Sequence, residues 1–272
     1  MIPGSPIGVF DSGLGGLTVA RAIAEALPNE DLVYLGDTAR VPYGTRSAET
    51  VIRYARSCAR KLAEHQPKVL VVACNTVSAV ALDMLRVELD IPVIGVIGPG
   101  ARAGVAASRT GRIGVIATAG TVASGAYVKE VGASSSRGEV FAQPAPLLVP
   151  LVEDGWLEGE VPRLAVRRYL EPLVHERIDA LVLGCTHYPL LGDLIREELA
   201  ALAGTDLPVV DSAHATASEL GAFLAARDLA RDTAHAGELR LLVTDLPARF
   251  TQVAARFLGR EASTLPVTQI DL

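Results

Sequence analysis

Short apolar runs alternate with longer helix-patterned stretches along almost the whole 272-residue chain, and this alternation constrains the fold more than any other feature. Ten runs read as strands. They are Ile7–Phe10, Asp31–Leu35, Val69–Ala73, Val93–Gly95, Arg112–Ala117, Glu139–Ala142, Ala180–Leu183, Pro208–Val210, Leu239–Val243 and Val267–Ile270. The helices expected between them are Leu17–Leu27, Ala48–His65, Val77–Leu89, Pro99–Ser108, Thr121–Val131, Val161–Glu176, Leu190–Leu202, Ala215–Arg227 and Pro247–Leu258. Strand–helix–strand units of this kind join parallel strands by right-handed crossovers. Half the residues are hydrophobic but only 4% are aromatic, so the core is built from Ala, Val, Leu and Ile. That suits strands covered by helices on both faces. Gly and Pro interrupt the alternation at "GVIGPGARAG", and "VVDSAHATA" feeds a new helix; both read as crossovers. The expected architecture is α/β, with two pseudo-symmetric lobes that are each a mostly parallel sheet flanked by helices. Lobe A takes residues 1–97 plus 211–272, and lobe B is the inserted segment 98–210.

Several function classes are disfavoured by charge and composition. Net charge is -6, and no Lys/Arg run occurs, so there is no electrostatic footprint for nucleic acid or an anionic membrane. The opening "MIPGSPIGVFDSG" lacks a basic-then-apolar export pattern, and no apolar run approaches the ~20 residues that span a bilayer. Cys58, Cys74 and Cys185 are far apart with no CxxC pair, which suits reduced thiols. The expectation is a cytoplasmic protein with neither nucleic-acid nor membrane partners.

Polar clusters sit where strands end, the usual ligand position in open α/β sheets. They are "DSGLGG", "GDTARVPYG", "CNT" and "CTH". Each alone reads as ordinary helix capping; together they point to a site. "DSGLGGLTV" is an incomplete dinucleotide fingerprint, with Thr18 in place of the third glycine and Asp37 near the ribose-binding position. Its free N–H groups at a helix start suit a small anion.

The stronger signal is a repeated one. "KVLVVACNT" and "DALVLGCTH" both run from a charged residue through an apolar strand to a cysteine, polar residues and a helix. Cys74 and Cys185 therefore each face a helix start, where the dipole is expected to lower a thiol pKa and favour the thiolate. Cys58 differs, because it lies on the helical stripe of Val51, Tyr54, Ala55 and Leu62 and reads as core. Cys185 and His187 offer two ligands from one turn, short of a metal site. His65, His175 and His214 lie near helix ends and His235 has no evident partner, so no metal is expected. A Cys185–His187 hydrolase pair stays open, but it leaves Cys74, Asn75 and Thr76 without a role.

With both cysteine turns in view, the chain resembles the glutamate racemases of the aspartate/glutamate racemase superfamily. The matching motifs are "FDSGLGGLTV", "LGDTARVPYG", "ACNTVSA" and "LGCTHYPLL", with weaker agreement through "GVIATAGTVASGAY", "LVEDG" and "LPARFTQVAARFLG". The resemblance implies a cofactor-independent isomerase that encloses glutamate between its lobes, supplies D-glutamate for peptidoglycan and cell shape, and forms a homodimer. It further implies that Cys74 and Cys185 are the acid/base pair, with Cys185 the base toward the L-enantiomer and Cys74 toward the D-enantiomer. Asp11 and His187 are implied to support the thiols and contact substrate. Ser12, Pro42, Tyr43, Gly44, Asn75, Thr76 and Thr186 are implied substrate contacts. Thr118 and Thr121 join them, Glu153 is a further candidate, and His214 receives no role. The alternatives are an aspartate racemase, a two-lobed dicarboxylate-binding protein without chemistry, and a nicotinamide-dependent oxidoreductase.

Overall fold

The computed structural model describes residues 2–231, 236–246, 250–259 and 266–272. Ten strands form: β1 (Ile7–Asp11), β2 (Leu32–Gly36), β3 (Val69–Val72), β4 (Val93–Gly95), β5 (Arg112–Ala117), β6 (Glu139–Pro144), β7 (Ala180–Gly184), β8 (Val209–Asp211), β9 (Leu239–Val243) and β10 (Val267–Gln269). The first six helices are α1 (Leu17–Ala26), α2 (Ala48–Ala63), α3 (Asn75–Glu88), α4 (Ile97–Ala107), α5 (Ala119–Ala123) and α6 (Ala126–Ser134). Then come α7 (Leu148–Asp154), α8 (Glu160–His175), α9 (Gly192–Ala203), α10 (Ser212–Ala225) and α11 (Phe250–Leu258), with a 3₁₀ turn at Tyr188–Leu191.

The strands make two wholly parallel sheets, ordered β10-β9-β2-β1-β3-β4 and β6-β5-β7-β8. The run β2-β1-β3-β4 in the first is repeated by β6-β5-β7-β8 in the second. β1 thus corresponds to β5 and β3 to β7. In both sheets the strand order reverses between those two strands, and that switch point leaves a crevice at their carboxyl ends. β1, β2, β3 and β7 are buried along their whole length, which is why they read as continuous apolar runs rather than alternating ones. α10 packs on both α1 and α4 and so ties the two layers together. Among the described residues no helix is long and apolar enough to cross a membrane.

Two departures from the sequence pattern have local causes. The helix expected over Thr121–Val131 is two helices, α5 and α6, divided at Gly125, whose φ of 67° is left-handed. α7 was not expected, because prolines crowd "PAPLLVPLVEDG". Pro150 nevertheless falls in its first turn, where a missing N–H breaks no helical bond. The expected helix Pro247–Leu258 is seen as α11, and its first three residues lie outside the described ones, as does His235.

At the end of the sheet away from the crevice, Lys68 is fully buried. Its Nζ lies 2.5 Å from Glu30 Oε2 and donates to the carbonyls of Pro3 (2.6 Å) and Leu229 (2.7 Å). Removing one partner of such a pair strands the other charge in the interior. Lys68→Ala is therefore expected to lower unfolding stability by about 3–5 kcal/mol, read as a shifted urea midpoint with an unchanged slope.

Candidate active site

The carboxyl ends of the two sheets face one another across a cavity of about 280 Å³. Cys74 follows β3 and caps α3, and Cys185 follows β7; both line this cavity and each is only 6% exposed. Cys58 lies elsewhere, fully buried on the inner face of α2 with Val51, Ala55 and Leu62.

The cavity wall from the first sheet comes from three loops. Ser12 follows β1, and its Oγ accepts a long bond from Cys74 Sγ at 3.4 Å. Pro42, Tyr43 and Gly44 come from the loop after β2. That loop is anchored by Asp37, which is fully buried and accepts from Arg40 Nε (2.6 Å), from Thr244 Oγ1 (2.8 Å) and from the Tyr43 hydroxyl. Asp37 is therefore engaged in holding the loop, not free to bind a ribose. Asn75 and Thr76 open α3, two residues earlier than expected, so their N–H groups belong to a first turn without intrahelical acceptors.

Thr118 lines the cavity from the second sheet as the cap of α5. Its hydroxyl lies 2.9 Å from Thr76 Oγ1 and 3.0 Å from Thr121 Oγ1, a hydroxyl cluster that joins the two layers. Thr121 sits behind this cluster, buried, and does not reach the cavity. Thr186 and His187 complete the wall.

Close approach explains the glycines of "DSGLGG". A side chain at Gly15 would meet His187 Nδ1 and Thr186 Oγ1 at 2.4 Å, and one at Gly16 would meet Asp11 Cβ at 2.4 Å. Thr18 Oγ1 also donates to the Thr186 carbonyl at 3.0 Å. The loop that resembled a nucleotide fingerprint is thus packed against the second cysteine turn.

The two thiols are supported differently. Beneath Cys74 lies Asp11, buried at the end of β1 and outside the cavity lining; its Oδ2 accepts from Gly13 N–H at 3.0 Å. Burial pushes the Asp11 carboxyl up against the pull of the His187 charge and the loop N–H groups. The Cys74 thiol is pushed up to about 12, by burial first and the Asp11 carboxylate second, with Ser12 and the Val77 N–H opposing. The expected lowering by the α3 dipole is thus outweighed by desolvation. Beside Cys185, His187 Nδ1 lies 3.9 Å from Sγ while its Nε2 lies 3.1 Å from Glu153 Oε1. Burial disfavours the charged imidazole, yet its bonds to Cys185 and Glu153 win and push it up to about 10.

Glu153 comes from α7, so a helix hidden by its prolines supplies the histidine's partner, and Val149 and Pro150 of the same helix line the cavity. α11 closes the back of this group. Phe257 meets the His187 ring edge-on at a centroid separation of 5.2 Å, and Arg256 Nη1 donates to the Glu153 carbonyl at 2.9 Å. His214 is exposed, pairs with Asp211 at 2.9 Å and lies outside the cavity. Among the described residues, no cluster of three or more His, Cys, Asp or Glu is placed to hold a metal ion.

An acid and a base on facing walls can work on opposite faces of one carbon, which neighbouring residues on a single turn cannot do. The whole chain is also similar to known proteins. The sequence profile of the Asp/Glu/hydantoin racemases matches residues 7–220. A glutamate racemase of Geobacter metallireducens is 50% identical over 258 residues, 95% of this chain and 94% of that protein. The crystal structure of a glutamate racemase isoform from Bacillus anthracis superposes with a TM-score of 0.92 at 41% identity, covering 98% of each chain. That of the Francisella tularensis glutamate racemase in complex with D-glutamate gives 0.89 at 35% identity, covering 99% of this chain and 98% of that one.

His187 is charged in the fold well above its ordinary value of 6.5. Its contribution to stability is therefore fully present below about pH 6.5 and is lost as pH rises toward 10. Glu153→Gln removes the carboxylate charge from one of the two bonds that hold the imidazolium. An NMR titration of the His187 ring is expected to show a midpoint near 10 in the wild type and a clearly lower one in the variant.

Proposed function

The chain belongs to the Asp/Glu/hydantoin racemase family and, within it, to the glutamate racemases, and on that footing we propose that it converts L-glutamate to D-glutamate by passing a proton through two opposed thiols. The observation that carries this reading is the meeting of Cys74 and Cys185, from equivalent strands of the two sheets, in one cavity between those sheets.

In the L-to-D direction the Cys185 thiolate removes the α-proton and becomes a thiol. The electron pair left on Cα is delocalised into the adjoining carboxylate, so the centre becomes planar. Cys74 then gives its thiol proton to the opposite face, yielding D-glutamate and a Cys74 thiolate. Exchange of one proton between the thiols and solvent restores the starting state, so the cycle needs no redox step. The environment of Cys74 supports its part as acid, since burial and the Asp11 charge keep its proton on. The His187 imidazolium beside Cys185 supplies a donor to the sulfur when the base is charged. The D-to-L direction reverses these roles.

The cavity's donors support a substrate with two carboxylates. Asn75 Nδ2 is buried without a partner among the described residues, and Thr76 and Thr118, whose hydroxyls lie 2.9 Å apart, line the same cavity. Exclusion of water strengthens each of these interactions around the developing charge. The same reading divides the chain into lobe A (1–97 with 211–272) and lobe B (98–210). It assigns the product to peptidoglycan synthesis in the cytoplasm.

The test is turnover of each glutamate enantiomer followed by circular dichroism. The wild type is expected to racemise glutamate and to leave aspartate essentially untouched. Cys74→Ala and Cys185→Ala are each expected to lose at least about 10³-fold in kcat, as for removal of an acid/base group. Racemisation that survives either substitution largely intact contradicts the two-thiol scheme, and preference for aspartate contradicts the substrate.

A further inference from the structure

The Asn75 amide is held asymmetrically. Its Oδ1 accepts a 2.8 Å bond from the hydroxyl of Tyr127, which comes from α6 in the other layer and is 3% exposed. Its Nδ2 is buried and has no partner among the described residues. Asn75 lines the cavity whereas Tyr127 stands behind it.

An amide can turn over, exchanging its oxygen and nitrogen, and the identity of its neighbour decides which way it stays. With the nitrogen toward Tyr127, the phenol would have to accept, and its own proton would then need another acceptor. No further bond to that hydroxyl exists among the described residues, so the turned amide would leave a buried O–H unpaired. Burial also pushes the phenol pKa well up, which keeps the hydroxyl a donor. The ring itself is fixed. A side chain at Gly184, the residue before Cys185, would meet Tyr127 Cε2 at 3.0 Å, and one at Gly100 would meet the hydroxyl at 3.4 Å.

We propose that Tyr127 is a positioning residue that locks the Asn75 amide with Nδ2 toward the cavity, making it an obligatory donor to a carboxylate of the substrate. The proposal rests on the dicarboxylate reading above. Because the lock reaches from one layer to the other, the donor is set only when the layers are together. Tyr127→Phe removes only the hydroxyl. The amide is then free to present Oδ1 to the carboxylate, a repulsive contact in place of an attractive one.

The experiment measures KM and kcat for glutamate, and the Kd of glutarate by calorimetry, in wild type, Tyr127→Phe, Asn75→Ala and the double variant. Glutarate has the same two carboxylates and no stereocentre, so its binding is read without turnover. Tyr127→Phe is expected to raise both KM and the glutarate Kd about tenfold, the loss of roughly one good hydrogen bond, with kcat within about threefold. Asn75→Ala is expected to do at least as much. The double variant is expected to bind within about twofold of Asn75→Ala, because the hydroxyl acts only through that amide. Unchanged KM and Kd in Tyr127→Phe would overturn the proposal. So would a full tenfold further loss in the Asn75→Ala background, which marks a general loosening. A wild type that binds glutarate yet does not racemise glutamate would overturn the racemase reading instead, and the glutarate series would still decide the role of Tyr127.

Discussion

Desolvation at the meeting of two sheet ends is the condition on which the rest of the site depends. Each sheet alone would leave its cysteine turn at an open crevice, where water would solvate the thiols and weaken any carboxylate contact. Facing each other, the two crevices become one cavity, and both cysteines are left only 6% exposed. The closure is held by small, specific contacts: Thr18 to the Thr186 carbonyl, Thr76 to Thr118, Gly120 N–H to the Gly44 carbonyl, and Tyr127 to Asn75. Gly15 and Gly44 permit the close approach, since a side chain at either would press into Thr186 and His187 or into Thr118.

The same desolvation accounts for the unlike support of the two sulfurs. Buried charge is tolerated only where hydrogen bonds or an opposite charge compensate it. Around Cys185 the compensation is positive, an imidazolium kept charged by its bonds to Cys185 and Glu153. Around Cys74 the nearby charge is negative, and the thiol keeps its proton. Two sheets that share one four-strand order therefore carry opposite electrostatic settings around their cysteines. The Cys185 sulfur also raises the proton affinity of the Cys74 thiol.

Much of this was legible in the chain itself. All ten strands are expected from the sequence, and β1, β2, β3 and β7 show most plainly as apolar runs because they are buried along their whole length. The echo of "KVLVVACNT" in "DALVLGCTH" is the trace of the repeated β2-β1-β3-β4 order. The echo is inexact: Cys74 caps its helix directly, while Cys185 is followed by a 3₁₀ turn before α9. What stayed hidden depends on tertiary contact. Glu153 is a candidate in the sequence, but its helix is masked by Pro150 and its His187 partner is not visible there, and Tyr127 looks like any buried aromatic until Asn75 is brought to it from 52 residues away. Asp37 stands near the spacing of a ribose-binding acid in an incomplete fingerprint, and its oxygens are occupied by Arg40, Tyr43 and Thr244. A thiol at a helix start likewise suggested a lowered pKa, and burial reversed the sign at Cys74.

The central claim is that two thiols on opposite walls exchange one substrate proton for another, and isotope flow in a single passage reads this directly. L-glutamate is incubated with the enzyme in heavy water, the reaction is stopped at a few per cent conversion, and both enantiomers are examined by mass spectrometry. The opposed pair predicts D-glutamate fully deuterated at Cα, because its proton comes from a solvent-exchanged Cys74, beside recovered L-glutamate still carrying protium. D-glutamate that retains the original α-hydrogen would mean one group serving both faces, and would contradict the account.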